Sequence, residues 1–588
     1  MVREKAQIGL KIAERRRPEK GSFDYHRAPL ERWMQELPIG NIGETARMIY
    51  DALHEVNRLE ISWKERQQFL ELLREPVNYI QNSLVRRYTS QTFPLQEKSR
   101  RVALLAKTLY EEMALGYKTA IEEMLGSSFL TRDSRILTLL IHRAIRYLSK
   151  GLLVCYQTYT PHPGDSWFEL HTLYLHAEQK NIAQAPVKDE YSTLIPKSSI
   201  ARVYKQILLL ALTSPYRLRQ GEAEAVYSAL AHWAGHAHII PYNAPSADHA
   251  LFVVHLDSDE APDYKAFDHR DCSDELCRLV DTRQLSLVLI DELKRHENGD
   301  RHSPLGAELI YLLIRTWGIT PKRNFSRSDR ASNIEVVVGT TMLHRVLTHE
   351  LGDPRFNIKP SSYDSKIVIS VSEAHSHDIW DLFSSEKMKR NYEHYQAILK
   401  EEERKEKTSP LLKETWQVRN ESAGGYRLAL EQTQNAKVQV GELLGMHFRE
   451  ESRIWRIGVV RWLRHAPEDE LEIGVQALAP QARPVLVRNE QAGGRAAEYQ
   501  YALLLSEIPA IKQPASLITP IMLFQPGNEL SLQLPGDELR ISLTRQLQDT
   551  GSFVQFLFST ASPPGEVRDH RGEAPTKPDP TSLNWDEL

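Results

Sequence analysis

From Glu44 onward, apolar side chains recur at three- and four-residue steps: Met48, Ile49, Leu53, Val56 and Leu59, then Phe69, Leu70, Leu72, Leu73, Val77, Ile80 and Leu84. That period lines up one stripe of a 3.6-residue helix. It continues through residues 102–125, 134–155, 167–179, 200–212 and 222–233, with breaks at Pro161-His162-Pro163-Gly164 and Ser214-Pro215. The pattern predicts an all-α helical domain over 39–240. Residues 1–38 are charged, contain proline and show no sustained period, so they read as a mobile arm.

Around Pro241 the period changes. Residues 250–256 form a short apolar run with β-branched members between polar turns, which reads as a strand, and residues 277–294 and 305–317 read as helices. A small mixed linking domain over 241–320 follows from this. Next come short alternating segments at 333–339, 416–430, 443–448, 455–463 and 471–475, with glycines where close packing or a bulge is expected. They suit a small antiparallel barrel over 321–487, interrupted by an insertion at 354–413. Within the insertion, 366–370 has strand composition and 380–407 is highly charged. A further β series over 488–560, either a second small β domain or an extension of the barrel, is punctuated by Pro-Gly turns, and 561–588 is proline-rich and polar, read as a disordered tail. The fold class is a multidomain α+β protein: a helical N-terminal module, then an antiparallel barrel with a β extension.

Composition narrows the partners. With 74 basic and 78 acidic residues the formal charge is -4, which gives no overall attraction to nucleic acid or anionic lipid. The longest apolar run, 207–212, is far short of the ~18 residues of a membrane span. Three cysteines, Cys155, Cys272 and Cys277, are too few for a disulfide framework and suit a reducing, cytoplasmic setting. Cys272 and Cys277 have no second pair and no histidine couple nearby in sequence, so they read as structural thiols, with no metal and no cofactor expected.

Two motifs carry chemistry. On the lead-in to the barrel stands Arg323-Asn-Phe-Ser-Arg327, followed by Arg330; in the stretch 416–428 stands Asn420-x-Ser422-x-x-Gly425, flanked by Arg419 and Gly424. A guanidinium fork matches both a guanine Hoogsteen edge and phosphate oxygens. An amide can read a base edge, a hydroxyl can bond phosphate or order a turn, and glycine lets the backbone approach a ligand. The paired motifs resemble the signature of the PilZ-domain family, and Gly458-Val-Val-Arg-Trp462 and Gly474-Val-Gln-Ala-Leu478 are similar to its trailing strand patterns.

The resemblance implies a cyclic di-GMP receptor without catalytic activity. Arg323 and Arg327 would grip guanine and phosphate, and Asn420, Ser422 and Gly425 would form the base-binding surface, with Arg330, Arg419 and Gly424 beside them. It also implies control of motility, pili, adhesion or biofilm formation through a protein partner, for which the helical domain offers a surface. Arg327 and Asn420 stand about ninety positions apart, so the pairing requires the insertion to leave the barrel. Two other readings remain. One is a helical interaction scaffold with a degenerate barrel. The other is a metal-dependent phosphohydrolase built on His375-Ser-His377-Asp378, which would need further ligands; His344 and His349 supply no His-x-x-x-His pair.

Overall fold

The computed structural model describes residues 8–560 except 90, 92, 128–132, 190–195, 274, 299–304, 320–327, 352–412, 431–436, 449–453, 467–469, 490, 492–497, 509–512 and 535–536. The helical pattern becomes α1 (Arg27–Gln35), α2 (Ile42–Asn57), α3 (Trp63–Val85), α4 (Glu97–Gly126), α5 (Ser134–Gln157) and α6 (Ser166–Gln179). After a short ribbon of β1 (Val187–Lys188) and β2 (Lys197–Ser198) come α7 (Ile200–Leu212) and α8 (Glu222–Trp233). The start of α3 is set by a reciprocal capping box between Ser62 and Glu65, which satisfies donors that a helix end leaves open. Helix α5 is buried on most sides, and Arg74, Arg143 and Arg146 from α3 and α5 converge on the buried Asp189 carboxylate.

The N-terminal segment departs from its reading as a mobile arm. Between residues 8 and 38 it lies on the helices, with Leu10, Leu30 and Leu37 buried. Its Leu10 and Lys11 amides donate to Glu122 and Glu169, and Arg15 pairs with Glu123. Isolated anchors bonded to distant carboxylates leave no period in the sequence.

Strands β3 (His238–Pro241), β4 (Phe252–His255), β5 (Asp263–Tyr264) and β6 (Cys277–Asp281) form a sheet in the order β3-β6-β4-β5, followed by α9 (Arg283–Glu297) and α10 (Ala307–Gly318). The helix read over 277–294 is thus a strand followed by a helix, because Cys277 to Asp281 pair on both sides with β3 and β4. Phe252, Val280, Leu289 and Trp317 belong to the same apolar core as the first eight helices, so this region is continuous with the helical domain.

Two closed six-stranded barrels follow. The first joins β7 (Ser328–Val338), β8 (Glu414–Ser422), β9 (Gly425–Leu430), β10 (Leu443–Phe448), β11 (Trp455–His465) and β12 (Leu471–Ala479) in the cyclic order β10-β11-β12-β9-β8-β7. The second joins β13 (Ala482–Arg488), β14 (Gln500–Leu505), β15 (Ser516–Thr519), β16 (Glu529–Leu534), β17 (Asp537–Asp549) and β18 (Val554–Thr560) in the order β13-β14-β15-β18-β17-β16. The β extension is therefore a barrel of its own. It claims β13, which had been placed in the first barrel, because Ala482 to Arg488 pair with β14 and β16. Helix α11 (Thr340–Leu351) wedges between the barrels, its Leu343, Val346 and Leu347 sharing a core with Trp455, Ile457, Leu503 and Ile518. The helical domain plugs one end of the first barrel: Phe93 and Tyr159 lie in its core, Phe93 bonds both ways with Val438, and the His465 amide donates to the Tyr159 carbonyl.

Candidate functional site

The stretch 416–428 folds as the β8–β9 hairpin, with Trp416, Val418 and Leu428 facing the barrel core. A register shift between Val418 and Asn420 bulges β8 at Arg419, so Asn420 sits opposite Arg427 and Ser422 opposite Gly425. Ser422 Oγ donates to the Gly425 carbonyl at 3.3 Å and ties the turn across its base. Gly425 has a φ of +153°, and a Cβ there would stand 1.9 Å from the Val475 carbonyl oxygen. The hairpin tip is pressed onto β12, where the Ala477 amide donates to the Gly424 carbonyl at 3.1 Å, and only glycine permits that approach.

Directly paired residues of neighbouring strands project to the same face. Asp329 pairs with Asn420, Asn420 with Arg427, and Arg427 with Gly474, giving one row across β7, β8, β9 and β12. Gly474 stands between Ile473 and Val475, which both point into the core, so the row is on the outer face. Above Gly474 lies the half-buried Trp462 indole, whose Nε1 would be 1.8 Å from a Cβ at that position. The outer face thus combines an amide, a guanidinium and an indole. Arg427 and Trp462 were not singled out by sequence reasoning as site residues. The signal was present in the pairing of Trp462 with Gly474, but only the register brings both beside Asn420.

Charge on this face is held in place. Arg427 and Arg464 both bond Glu472, the latter at 2.8 Å, and Arg419 pairs with Glu470. Burial pushes the Glu472 carboxyl up, but hydrogen bonds from the two guanidinium groups outweigh it and hold it below the usual carboxylate range. Among the described residues, Arg427 Nε is buried without a hydrogen-bond partner, while the end of its guanidinium is committed to Glu472.

Arg323 and Arg327 lie outside the described residues, as do His375, His377 and Asp378; Arg330 falls within β7 beside the register shift between Asp329 and Ser332. The described part of β7 begins at Ser328, paired with Glu421 between Asn420 and Ser422. At the opposite end of the same strands Val336 pairs with Glu414, and Lys413 meets Glu350 of α11 at 2.7 Å. The two flanks of the 352–412 stretch therefore meet at the end of β8 away from the hairpin tip, roughly 25–30 Å along a strand of that length.

A small antiparallel barrel with an Asn-x-Ser-x-x-Gly hairpin on its wall is the architecture of a PilZ domain, and the stretch of the chain that holds it, residues 251–484, is a PilZ domain. Residues 27–244 match the family model described as the N-terminal domain of the cyclic-di-GMP receptor FimW; residues 251–484 match its middle PilZ domain, and residues 485–561 its C-terminal β-barrel domain. The chain is 28% identical over 575 residues to the cyclic-di-GMP receptor FimW of Pseudomonas aeruginosa, covering 92% of each protein. No solved structure matches the chain. Among the described residues no helix is long and apolar enough to cross a membrane.

Proposed function

We propose that this protein is a cyclic di-GMP receptor that binds the dinucleotide on the outer wall of the first barrel. In this reading Arg323 and Arg327 close over guanine and phosphate, Asn420 reads a base edge and Ser422 orders the turn, while Gly425 keeps the backbone low beneath the ligand. Arg330, Arg419 and Gly424 flank the site; Arg427 and Trp462 extend it with a further fork and a flat ring on which a base can stack. The observation that carries the reading is the register of β7 on β8: the segment bearing both arginines joins β7 at Ser328, beside the hairpin, while the long insertion joins at the other end.

The output is conformational and acts without catalysis. The arginine segment links α10, fixed in the helical core by Trp317, to the first strand of the barrel. Drawing that segment onto the ligand biases the helical domain, which presents a protein partner with one of two arrangements. Control of motility, pili, adhesion or biofilm formation in the cytoplasm fits such a device. The alternative phosphohydrolase reading rests on His375, His377 and Asp378, outside the described residues; His344, named beside them, is buried and bonded to the Val485 carbonyl at 3.2 Å. Titration calorimetry with cyclic di-GMP tests the proposal: saturable binding is expected, weakened roughly ten- to hundredfold or more in Arg323→Ala/Arg327→Ala. Absence of binding heat across several temperatures, or full affinity in the double variant, overturns it.

A further inference from the structure

The two thiols read from sequence as purely structural acquire a neighbour in the fold. Strand β4 pairs with β6 in a register that sets His255 directly across from Cys277, and the turn before β6 brings Cys272 to the same point. Donor atoms of His255, Cys272 and Cys277 all lie within 4.8 Å of one another. Cys277 Sγ is 3.5 Å from His255 Nδ1, and Cys272 Sγ is 3.8 Å from Nε2. In a tetrahedral site with metal–sulfur bonds of about 2.3 Å and metal–nitrogen bonds of about 2.0 Å, ligand atoms stand about 3.5–3.8 Å apart. The Cys277–Nδ1 separation is already at such an edge length; Cys272 lies nearest the other ring nitrogen, and the three donor atoms, mutually within 4.8 Å, need close up by only about an ångström around one ion.

The surroundings are those of a metal centre. Asp268 Oδ2 is 2.7 Å from His255 Nε2, while its Oδ1 accepts from Arg270 Nε at 3.2 Å. A carboxylate on one ring nitrogen fixes the tautomer and turns the other nitrogen toward a metal. His255 and Cys277 are buried and Cys272 is half-buried. The spacing Cys272-x-x-x-x-Cys277 is within the range that zinc sites use for a cysteine pair.

We propose that His255 Nδ1, Cys272 and Cys277 bind a thiophilic divalent ion of the zinc class, with Asp268 as the carboxylate that orients the ring and a water in the fourth position. On binding, both thiols lose their protons to solvent and become thiolates; no redox change is involved. The site closes the loop between β4 and β6. That loop docks on the helical domain: Asp259 accepts from the amides of Asp165, Trp167 and Phe168 at the start of α6, and the His171 ring bonds the Glu260 carbonyl. The ion therefore staples the sheet to the helices.

The test uses the full-length protein purified with its thiols reduced. Elemental analysis, or titration with zinc against a chromogenic chelator, is expected to give about one equivalent per chain. Cobalt substitution is expected to give thiolate-to-metal charge-transfer bands and intense visible bands of a tetrahedral site. Both signals should vanish in Cys277→Ser and in the milder Cys272→Ser, persist in Cys155→Ser, and survive in Asp268→Asn with affinity reduced roughly ten- to hundredfold. Failure of the reduced wild-type protein to retain zinc or develop the cobalt bands overturns the proposal. So does equal binding by Cys272→Ser, or recovery of Cys272 and Cys277 as a disulfide from protein isolated under native conditions.

Discussion

Gly425 shows how tightly the β8–β9 hairpin is held against β12. Replacing it with alanine drives a methyl into the Val475 carbonyl, so Gly425→Ala should lower stability by roughly 1–3 kcal/mol and weaken nucleotide binding, read by thermal melts and calorimetry on one sample. Asn420→Ala should behave differently. Its side chain is half-buried on the outer face, and its loss should reduce affinity while leaving the melting temperature within about a degree or two. An equal fall in both quantities for both variants would mean that Asn420 is a turn residue and not a ligand contact.

Helix α11 holds the two barrels together, and one side chain within it responds to pH. Burial pushes the His344 imidazole down to about 4, against a bond to the Val485 carbonyl that favours the charged form. Its folded value lies below the ordinary value near 6.5, so the unfolded chain binds more protons between pH 6.5 and 4. The resulting stability is present in full above pH 6.5 and is lost as pH falls toward 4, by roughly 3 kcal/mol at most. Denaturant melts across that window should show the loss in the wild type and a shallower slope in His344→Gln; identical slopes would refute the assignment. At the other end of the first barrel, Phe93→Ala should cost about 3–5 kcal/mol and loosen the helical plug, seen as faster amide exchange around Val438 and His465.

The flanks of the long insertion meet at the end of the first barrel away from the β8–β9 hairpin tip. Because its flanks meet at Glu350 and Lys413, replacing residues 354–412 with a short Gly/Ser linker should leave barrel stability and cyclic di-GMP affinity within about threefold of the full chain. A collapse of binding would place part of the site in the insertion. Ligand at a hundred times its dissociation constant should stabilise the chain by about 2.7 kcal/mol if it binds only the folded state.

Much of this molecule is written in local pattern. The helices appear because a 3.6-residue stripe must be buried, and the barrel strands because alternation and glycine spacing fit a closed sheet. The hairpin carrying Asn420, Ser422 and Gly425 was legible as a turn because its motif is short and contiguous; the equally short arginine motif, Arg323 and Arg327, lies outside the described residues. Three things depended on contacts between residues far apart in sequence. Leu10 and Lys11 are anchored by carboxylates more than a hundred positions away. The row from Asp329 through Asn420 and Arg427 to Trp462 exists only once four pairings fix the register. His255 meets Cys277 because two strands twenty-two positions apart run antiparallel in one particular alignment. Sequence determined which segments bury which faces, since that is set by each segment's own periodicity; the tertiary structure decided which polar groups meet, because strand register and domain docking are settled by the packing of the whole core.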